Sequence, residues 1–150
     1  MKRSQRLKTI IDLHARQEKE ALQILGRSQQ QLQEQQAQLE HLKTYHQEYL
    51  TKLAERQQIG MNVSQLLEFR AFADKLDKAI DGQRQAVVVK EREYQRSRIK
   101  WEDCHQRSKS MERLGQMAVA EELKLENKLE QNEQDARAAR SARKSGIENA

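Results

Sequence analysis

The sequence predicts an all-α protein: a long antiparallel two-helix coiled coil, or helical hairpin, that runs on into a C-terminal helical overhang. Three observations carry this expectation. The 150 residues include no proline, and 34% are charged against 4% aromatic, a mixture typical of long exposed helices and not of a thick core. Apolar residues recur in heptads on both sides of the chain's middle, which suits a narrow helix–helix seam. The helical pattern breaks clearly at Gln57-Gln58-Ile59-Gly60-Met61-Asn62-Val63-Ser64.

The first helix is expected over about residues 5–57. With a at Ile11, Glu18, Leu25, Leu32, Leu39, His46 and Leu53, the d row holds Leu7, His14, Ala21, Ser28, Gln35, Leu42 and Tyr49. Gly26 is a soft spot but no break, because propensity is a weak prior. The Gln-rich run from Gln29 to Gln38 keeps Leu32 and Leu39 in phase and reads as helix. The turn falls at about 58–63. Gly60 supplies backbone freedom. Asn62 and Ser64 are both acceptable N-caps, and Gln65 stands three residues after Asn62 as in a capping box.

The second helix is expected over about 64–140. Its a row is Leu66, Ala73, Ile80, Val87, Tyr94, Trp101, Ser108 and Gly115. Its d row is Phe69, Leu76, Gln83, Lys90, Ser97, Cys104, Met111, Ala118 and Leu125. Asp81-Gly82 is a rival turn, but the spacing passes through it without a phase change. A tight turn centred near Met61 sets Tyr49 against Ala73, Ser28 against Tyr94 and Ala21 against Trp101. It also sets Leu42 against Ile80, Leu53 against Phe69, Ile11 against Met111 and Leu7 against Gly115. Each bulky aromatic then faces a small residue, which lets layers fill without voids. Past about Ala118 the second helix has no partner left. The stretch 120–140 is an overhang offering Leu123, Leu125 and Leu129 to another molecule, and 141–150 is expected to fray. The whole chain reads as one coiled-coil hairpin.

Catalytic chemistry finds no support. No Walker loop, Cys-x-x-Cys, His-Glu-x-x-His or Gly-x-Ser-x-Gly occurs. His41 and His46 fall on different helix faces, so no simple metal pair forms, and no catalytic, cofactor-binding or metal residue is assigned. The lone Cys104 excludes an internal disulfide and suits a reducing compartment. No apolar run reaches the roughly 20 residues a membrane span needs, and no apolar signal core follows the basic start. The expectation is a cytoplasmic, non-enzymatic protein without direct membrane insertion.

The net charge of +5 is uneven. Residues 84–113 hold nine Lys/Arg against five Asp/Glu, and 1–20 hold six against three. Residues 114–134 hold two against five. Such a field steers acidic partners, although flanking charge is ordinary on coiled coils. Nucleic acid is not expected as a partner: Tyr94 and Trp101 are seam residues, and Glu91, Glu93, Glu102 and Asp103 interrupt any phosphate track. After the turn, Phe72, Leu76, Ala79 and Gln83 form one helical stripe, readable either as seam edge or as a docking stripe.

Two segments are distinctive. One is Leu42-Lys43-Thr44-Tyr45-His46-Gln47-Glu48-Tyr49, followed by the Gly-containing turn. The other is Phe69-Arg70-Ala71-Phe72-Ala73-Asp74-Lys75-Leu76-Asp77-Lys78-Ala79-Ile80, with Trp101 further on. In these, and in length and turn position, the chain resembles the flagellar export family FliJ. That resemblance implies an antiparallel coiled coil similar to the gamma-subunit stalk of rotary ATP synthases. It implies a type III export component that sits in the hexameric export ATPase, promotes its assembly and activity, and couples it to the membrane export gate. It also implies help in recycling export chaperones, and a cytoplasmic location peripheral to the inner membrane at the flagellar basal body. By resemblance, Phe72, Leu76 and Ala79 meet the gate, with Gln83 continuing the stripe. The ATPase-facing surface is expected on the paired termini and overhang, at Leu7, Ile11, Leu123, Leu125, Leu129, Arg137 and Arg140. The alternative is a structural coiled-coil scaffold without motor coupling.

Overall fold

A computed structural model describes residues 2–148. Two helices account for them almost entirely: α1, Arg3–Ile59, and α2, Val63–Glu148. They pack antiparallel as a helical hairpin, and no strand occurs among the described residues. The connection is three residues long. The Gly60 N–H donates to the Arg56 carbonyl at 2.9 Å, and Gly60 has φ of 115°, a conformation that L side chains rarely adopt. This is how a C′ glycine stops a helix. Two residues later Asn62 starts the next one: its Oδ1 accepts the Gln65 N–H at 2.8 Å and its carbonyl accepts the Leu66 N–H at 3.1 Å. Asn62, not Ser64, is therefore the N-cap.

The heptad rows describe the burial. Every a and d residue from Leu7 to Leu53, and from Leu66 to Ala118, is buried or half-buried; Leu125 is exposed. α2 passes through Asp81-Gly82 unbroken. It also continues to Glu148, where the sequence predicts fraying from residue 141. Residues 149–150 of the expected tail lie outside the described residues.

Contacts group the chain into two units, Lys19–Asp103 and Met1–Glu18 with Cys104–Ala150. The first holds the turn. Its core is Ala21, Leu53, Ala73, Leu76 and Ile80. Cross-helix partners there fall within one residue of the expected register: His46 pairs with Asp77 at 3.0 Å, Lys90 reaches Gln31 at 3.4 Å, and the Tyr49 ring lies on Phe72. Ser28 instead bonds Ser97 at 2.9 Å, and Gln83 bonds Gln35. Each is about one turn from the layer expected. A knob in a coiled coil touches residues a turn apart on either side of its hole, so these contacts belong to the same register.

In the other unit Ser108 and Ala118 are buried, and so is Gly115. A methyl added to Gly115 would lie 2.5 Å from Ile11 Cδ1. Ile11, not the expected Leu7, thus covers this glycine, one turn along. The start of α1 is held by the facing helix. Glu122 accepts the Ser4 N–H at 3.0 Å and the Ser4 hydroxyl at 2.7 Å. It satisfies one of the free N–H groups of a helix start and places negative charge at the positive pole.

Candidate partner-binding surfaces

Beside the turn, four rings gather on one side of the helix pair. Tyr49 stacks on Phe69, with centroids 5.2 Å apart, and tilts against Phe72 at 4.7 Å. Tyr45 meets the Phe72 edge at 6.3 Å and Tyr49 at 6.5 Å. Arg56 lies 5.3 Å over the Phe69 ring, a cation–π contact that covers the inner end of the cluster. The rings therefore pack on one another, beyond the aromatic-on-small pairing the sequence predicts. Buried Ala73, adjacent to Phe72, presents no long side chain to hold them apart. Burial raises the Tyr49 phenol above its usual range, so this ring stays neutral and works as packing surface.

The stripe residues divide. Phe72 is 38% exposed, while Leu76 is 8% exposed and belongs to the core. Ala79 is exposed and Gln83 half-buried. The Gln83 amide donates to the Gln35 carbonyl at 2.9 Å and to its Oε1 at 2.8 Å, so its donors are turned across the seam. What this side offers to solvent is Phe72 and Ala79 from α2, joined by Tyr45 from α1, which is 49% exposed. The sequence reading misses Tyr45. The available signal is its g position, which in an antiparallel pair faces the g position of Phe72.

The residues expected at the termini also divide. Leu7 and Ile11 are half-buried in the seam. Leu123, Leu125 and Leu129 are each more than half exposed, and Arg137 and Arg140 are exposed. Val119 and Leu123 line one groove with Lys8, Ile11 and Gly115, so an apolar surface joins the α1 seam to the start of the overhang. Charge contacts fasten this unit. Lys2 pairs with Glu126 at 2.5 Å, which raises the lysine pKa. The bonds from Ser4 hold the Glu122 carboxyl below its ordinary range. Glu18 faces His105 Nδ1 at 2.6 Å; that bond, helped by Ser108, lowers the Glu18 pKa. These polar side chains are occupied in holding helix to helix. Among the described residues no group of three or more His, Cys, Asp or Glu could hold a metal ion, and no helix is long and apolar enough to cross a membrane.

Compared with known proteins, the chain matches the family model described as flagellar FliJ protein over residues 2–146. It belongs to the FliJ family. That match spans nearly all the described residues and makes the protein a component of the flagellar export apparatus. A search of the curated proteins finds no match. The ring cluster and the exposed leucines are two of the apolar surfaces that the seam leaves uncovered.

Proposed function

We propose that this FliJ-family chain is a non-enzymatic connector in flagellar protein export, needing no cofactor. It binds the hexameric export ATPase and promotes its assembly and hydrolysis, couples that ring to the membrane export gate, and assists recycling of export chaperones. It acts in the cytoplasm at the inner face of the basal body. The family match over residues 2–146 is the observation that carries this reading. The fold supports it: two unbroken helices with a thin seam leave most side chains outside, as a protein working through its surface requires.

In this reading Phe72 and Ala79, with Tyr45 beside them and Leu76 beneath, meet the gate. A half-exposed aromatic backed by other rings is the kind of rigid anchor that dominates interface energetics. Leu123, Leu125, Leu129, Arg137 and Arg140, with Leu7 and Ile11 behind, meet the ATPase. Gel filtration of the purified full-length chain with the export ATPase tests the assignment. A ring complex is expected to co-elute with the chain. If the two elute apart with and without nucleotide, the scaffold reading replaces this one.

A further inference from the structure

From Leu123 to Ile147 every residue of α2 is exposed. In a heptad helix the a, e and b positions share one side, and in this stretch the charges at e and b segregate by sign. Glu126, Glu130 and Glu133 come first, and Arg137, Arg140 and Lys144 follow. Lys124, Lys128 and Asp135 fall at c and g, away from that side. Glu126 already pairs with Lys2. Glu130, Glu133, Arg137, Arg140 and Lys144 make no ion pair among the described residues; Arg140 donates to the Ala136 carbonyl at 3.4 Å. Apolar side chains close the stripe at both ends, Leu123 at b and Ile147 at e, 56% and 77% exposed.

The stripe is its own complement about residue 135. Glu133 mirrors Arg137, Glu130 mirrors Arg140, Glu126 mirrors Lys144, and Leu123 mirrors Ile147. In an antiparallel pair e faces e, so a second copy laid along this side meets opposite charge at each step and an apolar residue at each end. A parallel copy would set carboxylate on carboxylate and cation on cation. Val119 at e and Leu123 at b carry the same side of α2 into the groove formed with Ile11 and Gly115. The Ile147 of the second copy therefore arrives beside an apolar recess.

We propose that residues 123–147 of α2 pair antiparallel with the same stretch of a second copy of this chain. Each copy supplies the same surface, so the contact closes on a two-fold axis. The paired stretch is about 36 Å long, a small contact of the weak class, so the association depends on concentration. Leu123, Leu129, Arg137 and Arg140 are also assigned to the ATPase above, and the self-association does not rest on that assignment.

Sedimentation equilibrium of the full-length chain tests it. At about 0.01 M salt, where charges act over about 30 Å, the mass should rise with concentration from 17.7 kDa towards twice that value. At about 1 M salt, where the range is about 3 Å, it should fall back towards the monomer. Glu130→Arg with Glu133→Arg should be monomeric, as should Arg137→Glu with Arg140→Glu, because each variant meets like charge in its own copy. Mixed in equal amounts, the two variants should form a heterodimer. All four side chains are exposed, and circular dichroism checks that each variant remains helical; the salt response of the parent chain needs no variant. A parent chain that is monomeric at every concentration and salt overturns the proposal. So does a dimer that survives both charge reversals, or a mixture of the two helical variants that stays monomeric. None of these outcomes bears on whether the export ATPase is a partner.

Discussion

Phe72 and Leu76 are neighbours on one stripe but do different work, and substitution separates them. Leu76 is core, so Leu76→Ala should cost about 2–5 kcal/mol of stability, read as a lowered urea midpoint. Phe72→Ala should cost only about 1–2 kcal/mol, since part of the ring is already in water. It should nonetheless weaken binding to the gate about 30-fold, the scale of a hot-spot residue, in a calorimetric titration. Unchanged gate affinity in Phe72→Ala would remove the docking assignment. Glu18 gives a second residue-scale test. Its pKa is lowered in the folded chain, first by the bond to His105. Its contribution is therefore fully present above the unfolded carboxylate value of about 4.3 and is lost as pH falls through the lower folded value. Thermal melts across that acid window should show a decline in the parent that is shallower in Glu18→Gln.

At the scale of elements, the glycines test which breaks in the helical pattern matter. Gly60 holds φ of 115°, so Gly60→Ala should destabilise the hairpin by about 1–3 kcal/mol. Gly26 and Gly82 lie in helix with nothing within 4 Å of an added Cβ. Gly26→Ala with Gly82→Ala should therefore raise stability by up to about 1 kcal/mol per site. Opposite signs in the melting temperatures are the expected result. The heptad rows made the two helices and their buried faces legible, because burial in a two-helix seam follows period and little else. The end of α2 was less so: Ser141, Ser145 and Gly146 are weak helix formers, yet the helix runs on to Glu148. The ring cluster was half legible. Tyr49 and Phe69 stand in the seam rows, but Tyr45 and Phe72 meet only through the antiparallel pairing of g positions, which requires the register.

For the whole molecule, the proposed function rests on what the seam leaves uncovered. A two-helix seam covers only one stripe of each helix, and Phe72, Leu123, Leu125 and Leu129 are among the apolar residues it leaves exposed. Family membership supplies the apparatus in which those surfaces act, while the partner of each surface is the proposal made above. If the exposed leucines engage the ATPase, Leu125→Ser with Leu129→Ser should lower the response of that enzyme without lowering the melting temperature, since neither side chain is packed. The most direct test of the export role is the steady-state ATP hydrolysis rate of the purified export ATPase, titrated with the full-length chain. The rate should rise and saturate as the chain is added, and rise less with the two leucines replaced. A rate that stays flat across the titration, with the chain folded and the ATPase competent, would contradict the account.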